Sequence, residues 1–301
     1  MNNMNQKREV RTVAKGLSFL EGPRWRQGYL YVSDFFSHRV LRFDGNGLMN
    51  ELCLVPGQPS GLGFAPNGAL QIVSMIDRKV LQLQGEKLVQ VADLSGLAPF
   101  HCNDMIVDGA GGAYIGNFGW NSAQEARIKS TVLLRTEPDG TVSIAAEDLV
   151  FPNGMVLTPD GKTLLVAETF AARISAFDVG PDGTLRNRRS WASFSNVPFE
   201  TIPEAVASGK PLPDGMALDA EGALWIGDAG GRGPVRVGEG GRILDRVVTE
   251  NLTAYAVALG GADRRTLFIC AAPPLLSKEF TETDRACLLS CRVAVPGIGG
   301  P

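Results

Sequence analysis

Four side chains that offer oxygen donors stand at one phase of a repeating sequence pattern. They are Glu21 in "EGPRW", Asn103 in "NDMIV", Asn153 in "NGMVL" and Asp214 in "DGMAL". Ser60 in "SGLGF" and Tyr255 in "YAVAL" hold the same phase in two further copies. Two bare carboxylates brought face to face repel each other. A hard dication removes that repulsion and also accepts amide carbonyl oxygens. Glu21, Asn153, Asp214 and Asn103 therefore point to Ca²⁺, with Mg²⁺, Mn²⁺ or Zn²⁺ as alternatives. So few protein ligands leave positions for water and substrate, which suits metal-assisted hydrolysis. Softer ligands are scarce: the chain has 2 histidines, and its 5 cysteines contain no CxxC and read as free thiols. Asn or Asp before Gly is, taken singly, an ordinary turn residue. The shared phase is what sets these residues apart.

The elements that must position them are short strands. Apolar runs recur at 29–34, 69–74, 112–117, 163–168, 223–228 and 266–271. Turn residues precede nearly all of them ("PNG", "PDGK", "DAEG"), and another short apolar run lies upstream of each turn. Each unit thus contains a hairpin. Alternating segments such as 39–44, 79–84, 131–137 and 173–179 supply further half-buried strands. Six such units predict an all-β fold, a six-bladed β-propeller, as one domain over 1–301 with 1–9 as a flexible tail. A two-sheet sandwich would not explain the repeated hairpins. Residues 10–17 are expected to complete the final blade with 285–295, which removes exposed edges. In a propeller the first strand of each blade lines the channel, so the oxygen donors fall on one rim. Segments 120–130 and 195–211 interrupt the strand spacing next to that rim and are candidate lids. Within the second, "IPEAVASG" reads as one short helical turn.

Composition narrows the class of function. The net charge is −3 and no basic run stands out, so nucleic acid is not an expected partner. No apolar stretch approaches the ~20 residues of a membrane helix. The opening "MNNMNQKREV" lacks the apolar core of a signal peptide, and the expected compartment is the cytoplasm. The oligomeric state is left open. Neither a GxSxG elbow nor a GxGxxG or Walker loop occurs, and Ser60 has no evident histidine partner.

"EGPRW", "HCNDMIVDGAGGAYIGN", "PNGMVLTPDGKTLLVAE" and "PDGMALDAEGALWIGD" resemble, in order and spacing, the SMP-30/gluconolactonase (regucalcin-like) family of six-bladed propellers. The resemblance runs from about residue 16 to about residue 295. It implies a divalent-metal-dependent hydrolase of a small-molecule lactone or related ester. It further implies Glu21, Asn153 and Asp214 as metal ligands, Asp214 as general base, and Asn103 as a substrate-facing residue that sometimes joins the metal. Two departures stand out. His101 occupies the position where sugar-lactonase members carry an arginine, and Trp120 falls where some carry a glutamate. His101 is a candidate proton donor to the leaving alkoxide. Phe118, Trp120, Phe170, Phe199 and Tyr255 are expected to make the site more apolar than a sugar-lactone site. His101, Asn103, Phe118, Trp120 and Tyr255 are the candidate substrate contacts. Two other functions fit the same residues: a metal-stabilised binding or regulatory propeller, and a metal-assisted lyase or isomerase.

Overall fold

A computed structural model of the chain describes residues 8–280 and 284–299. Strand β1 (Arg11–Leu17) comes first. Then β2 (Leu20–Arg26), β3 (Tyr29–Asp34), β4 (Arg39–Phe43) and β5 (Met49–Leu54) form a four-stranded antiparallel sheet. A second consists of β6 (Pro59–Phe64), β7 (Leu70–Ser74), β8 (Lys79–Gln84) and β9 (Lys87–Asp93). A third contains β10 (Cys102–Val107), β11 (Ala113–Asn117), β12 (Thr131–Thr136) and β13 (Val142–Leu149). The fourth is β14 (Pro152–Leu157), β15 (Thr163–Glu168), β16 (Arg173–Val179) and β17 (Leu185–Ser193). After helix α1 (Ile202–Ala207) come β18 (Pro213–Leu218), β19 (Leu224–Asp228), β20 (Val235–Val237) and β21 (Ile243–Arg246). The chain ends with β22 (Thr253–Gly260), β23 (Thr266–Ala272) and β24 (Ala286–Arg292), and these last seven strands join β1 in one eight-stranded sheet.

The all-β propeller stands, but the expectation of six separate blades is corrected. Among the described residues there are four separate four-stranded blades, and the remaining strands form a single sheet. The fusion occurs where Asp228 at the end of β19 pairs with Ala254 in β22. Sequence periodicity counts hairpins, whereas sheets are counted by hydrogen-bonded ladders, and one bridge merges what the repeat shows as distinct. The N-terminal strand does close onto the C-terminal one: β1 pairs antiparallel with β24, from Arg11 opposite Ser290 to Leu17 opposite Ala286. Of the tail expected over 1–9, residues 1–7 lie outside the described residues. Arg8 donates to Asp245 at 2.9 Å.

Burial falls from the axis outward and explains which strands are apolar. Every residue of β6, β10 and β14 is buried, so these strands read as continuous apolar runs. The outermost β13 and β17 are largely exposed and carry Ser, Asn, Glu and Arg. The innermost strands pack side by side: β2 on β6, β6 on β10, β10 on β14, β14 on β18, β18 on β22, and β22 back on β2. Glycine permits this approach. A Cβ at Gly154 would lie 2.4 Å from the Asp214 carbonyl oxygen, and one at Gly22 would lie 2.8 Å from that of Ser60. Each of these glycines directly follows a residue of the oxygen-donor ring.

Candidate active site

The ring residues owe their direction to a defect repeated in every inner strand. Glu21, Ser60, Asn103, Asn153 and Asp214 are the second residues of their strands, and Tyr255 is the third of its strand. The pairing register breaks around each of them, between Glu21 and Arg24, Pro59 and Leu62, Cys102 and Met105, Pro152 and Met155, Pro213 and Met216, and Ala254 and Ala256. A bulge bends the strand and re-aims one side chain. Here Glu21, Asn103, Asn153, Asp214 and Tyr255 all come to line one cavity of about 370 Å³.

The carboxylates and amides of this cavity are buried, with 7% of Glu21, 5% of Asn103, 3% of Asn153 and 5% of Asp214 exposed. The Asn153 amide is held by its nitrogen. Nδ2 donates to Thr169 Oγ1 at 3.2 Å, and that hydroxyl donates to the Pro213 carbonyl at 2.9 Å. Asn153 Oδ1 is left buried without a partner, and so is Asp214 Oδ1. Among the described residues Glu21 gains only the Gly22 N–H, at 3.3 Å. Buried acceptors without donors are costly. Burial, then the neighbouring Asp104 carboxylate, pushes the Glu21 pKa up to about 8. Burial, then the Glu21 and Asp104 charges, raises Asp214 well above the usual carboxylate range. Oxygen-only donors with orphaned lone pairs and mutual repulsion fit a hard divalent cation held by Glu21, Asn153 and Asp214. Among the described residues no three His, Cys, Asp or Glu side chains cluster as a metal group, so such a site depends on the amide oxygen of Asn153.

Asn103 differs from Asn153. Its Oδ1 accepts from the Ser60 hydroxyl at 3.4 Å, and its Nδ2 is the buried atom without a partner. A free N–H donor suits a substrate oxygen better than a cation. Ser60 is occupied with this contact.

His101 is half-buried at the cavity wall and stacks on Phe100, with ring centroids 3.9 Å apart. Burial, then the charge of Arg78, lowers its pKa. Phe118 and Phe170 also face the cavity. The Tyr255 hydroxyl donates to the Pro273 carbonyl at 2.9 Å, so its ring is what the cavity meets. Trp120 lies in the packing behind the wall: its Nε1 donates to the Glu125 carbonyl at 3.1 Å, and its ring sits edge-on to Phe151 and Phe170. Phe199 packs against the adjoining core.

The two irregular segments form one structure. Arg127 pairs with Glu200 at 2.7 Å, and the Ile128 N–H donates to the Glu200 carbonyl at 2.9 Å. Thr201 caps α1, accepting from the Glu204 N–H at 3.3 Å. From this unit Ser122 and Ile202 reach the cavity. At the opposite end of the channel the C-terminal residues are tied down. Arg264 donates to the Ile298 carbonyl at 2.8 Å, and the Ile298 N–H donates to the Leu218 carbonyl at 3.3 Å.

Sequence reasoning missed three groups. Asp104 sits beside the ring, paired with Arg24 at 3.0 Å, and its charge acts on both Glu21 and Asp214. A signal was present: Gly follows the ring residue in four copies, but Asp104 follows Asn103. The second-strand ends Asp34, Glu168 and Asp228 are the second group. They accept the backbone N–H groups of Ser18, Val150 and Leu212, and so anchor the segments that enter β2, β14 and β18. The third group is aromatic: Phe19, Phe35, Phe36, Phe151 and Phe280 all line the cavity, and the Phe35–Phe36 doublet was a visible cue.

Comparison with known proteins places the chain in a family. The family model described as "SMP-30/Gluconolactonase/LRE-like region" matches residues 19–273. A 6-deoxy-6-sulfogluconolactonase of Pseudomonas putida is 24% identical over 286 residues, covering 93% of this chain and 93% of its own. A pentonolactonase of Haloferax volcanii is 27% identical over 271 residues, covering 87% and 84% respectively. A calcium-binding protein of Agrobacterium tumefaciens, described as a regucalcin, shares the fold at a TM-score of 0.79 and 19% identity, over 98% of this chain and 97% of that one.

Proposed function

Because this chain belongs to the SMP-30/gluconolactonase/LRE-like family, we propose that it is a lactonase that depends on a divalent cation. The carrying observation is the pair of buried, partnerless oxygens, Asn153 Oδ1 and Asp214 Oδ1, beside Glu21 in the wall of the cavity. Relatives named for sugar lactones support the reaction class. The calcium-binding structural relative is compatible with Ca²⁺.

When bound by Glu21, Asn153 and Asp214, the cation would supply Lewis-acid polarisation of the carbonyl and keep the two carboxylates ionised. The chain's own groups do the rest. Asp214, once ionised, is the candidate base that takes a proton from the attacking water. The water oxygen bonds to the carbonyl carbon, and the ring C–O bond breaks. The free Nδ2–H of Asn103 is placed to hold a substrate oxygen. His101 is kept neutral by its burial, so it suits a proton relay to the leaving alkoxide better than a standing acid. The product is the open-chain hydroxy acid.

The test is hydrolysis of a lactone and aryl-ester panel by chelator-treated protein, with Ca²⁺, Mg²⁺, Mn²⁺ or Zn²⁺ restored singly. Turnover is expected to return with a divalent ion and to fall at least about 100-fold in Asp214→Ala, in line with the loss of a general base. Full activity in the chelated protein would sink the metal dependence. Tight ion binding without turnover of any ester would turn the reading to a structural ion.

A further inference from the structure

The cavity above the carboxylates is walled by aromatic rings on two sides. On one side Phe19 meets Phe35 at 5.8 Å, Tyr255 at 4.7 Å and Phe280 at 5.1 Å between centroids. Phe36 stands edge-on to Phe35 at 4.7 Å. On another side Phe118 and Phe151 are nearly parallel, 23° and 4.7 Å apart, and Phe151 meets Phe170 at 4.7 Å. Phe35, Phe36, Phe118, Phe151 and Phe280 are each only partly buried, and each lines the cavity. They come from four connections, β3–β4, β11–β12, β13–β14 and β23–β24, so the apolar lining is a property of the whole mouth.

Polar groups are few above the ring. Thr169 is occupied by Asn153 and Pro213. Gln58, Ser122 and His101 remain, and among the described residues no lysine or arginine lines the cavity. An aldonolactone carries a hydroxyl on most of its carbons, and each needs a partner once buried. These walls cannot supply that many. A flat hydrocarbon ring loses no hydrogen bonds on entry and gains edge-to-face contacts with the phenylalanines.

We propose that the substrate of this cavity is an aromatic lactone or ester, its flat apolar ring held among Phe36, Phe280, Phe118 and Phe151, and that polyhydroxylated sugar lactones are poor substrates. This rests on the lactonase reading above. Its carbonyl faces Asn103 and Asp214, while the ring points toward the loop aromatics.

Three δ-lactones separate the terms: 3,4-dihydrocoumarin has a fused benzene ring, δ-valerolactone is bare, and glucono-δ-lactone is polyhydroxylated. The expected order of kcat/KM, measured with the metal-loaded protein, is dihydrocoumarin, then valerolactone, then gluconolactone, with at least about a tenfold gap between first and last. In Phe36→Ala and in Phe118→Ala, two independent walls, the dihydrocoumarin-to-valerolactone ratio is expected to fall at least about fivefold. Turnover that favours gluconolactone, or an unchanged ratio in both variants, overturns the aromatic assignment and leaves the lactonase reading standing. If no lactone is turned over, the lactonase reading fails and calorimetric binding decides the cavity. Dihydrocoumarin bound more tightly than gluconolactone, and weakened by Phe118→Ala, keeps the assignment, whereas no such binding removes it.

Discussion

At the scale of single residues, the metal-free site is strained by charge, and a proton relieves the strain. Burial, with Asp104 adding to it, moves Glu21 from 4.5 to about 8 in the folded protein. The sign follows directly. A carboxyl group whose folded pKa is raised favours folding in its protonated form. That contribution is complete below about pH 4.5, declines as the pH rises, and is lost once the pH passes about 8. A cation that binds the same oxygens must displace the proton. At about pH 7, Ca²⁺ binding is therefore expected to release about one proton, because Glu21, at about 8, is largely protonated without the ion, and the upward shift of Asp214 acts in the same direction. Calorimetric titration in two buffers of different ionisation enthalpy counts those protons, and the number should fall toward zero by about pH 9.5 if Glu21 dominates. Binding with no proton release at neutral pH would contradict the coupling.

At the scale of elements, the site depends on how closely β14 and β18 approach. Gly154 follows Asn153, and an added Cβ would lie 2.4 Å from the Asp214 carbonyl oxygen and 2.7 Å from the Gly215 Cα. Gly154→Ala must push the two strands apart, and both carry proposed ion ligands. A loss of about 1–3 kcal/mol in stability is expected from the overpacking, together with at least about a tenfold fall in ion affinity from the displaced ligands. Gly45→Ala is the control, since nothing lies within 4 Å of its added Cβ. Denaturant melts and ion titrations of the two variants check this, and a Gly154→Ala protein with unaltered ion affinity would refute the argument. This scale also shows what was legible. The apolar runs and their turns were readable because the inner strands are buried throughout and the turns need residues such as Gly161, at φ 67°. The register breaks at the ring residues were not readable, because a bulge is a feature of pairing and two strands must be seen together. The phase of Glu21, Asn103, Asn153 and Asp214 survived that ignorance, since each copy carries the same defect at the same place. Trp120 was misplaced for a related reason: a loop aromatic's direction depends on contacts such as that with Glu125, which strand spacing does not encode.

At the scale of the molecule, the repeat revealed the propeller but could not count its sheets, because the bridge from Asp228 to Ala254 leaves no trace in a period. The aromatic mouth was equally hidden, since Phe36, Phe118, Phe151 and Phe280 lie far apart in sequence and meet only when the loops gather at one end. The same gathering would make the proposed ion a tie across the whole fold. Glu21 comes from β2, Asn153 from β14 and Asp214 from β18, so each proposed ligand arrives on a different sheet. An ion bound only by the assembled ring stabilises the folded state by RT ln(1 + [L]/Kd), about 2.7 kcal/mol at one hundred times Kd. For a chain of this size that corresponds to a rise in Tm of roughly 5 °C. Thermal melts of chelated protein are expected to move up by that amount with Ca²⁺, and the increment should disappear in Asp214→Ala. The direction of the baseline shift in that variant is a second readout. Removing a buried carboxyl group whose ionisation both burial and the Glu21 charge oppose should leave the metal-free protein no less stable than the wild type once the pH is high enough to ionise it. A wild-type melt indifferent to every divalent ion would mean that the three sheets are held together by packing alone, and that the orphaned oxygens of Asn153 and Asp214 await some other donor.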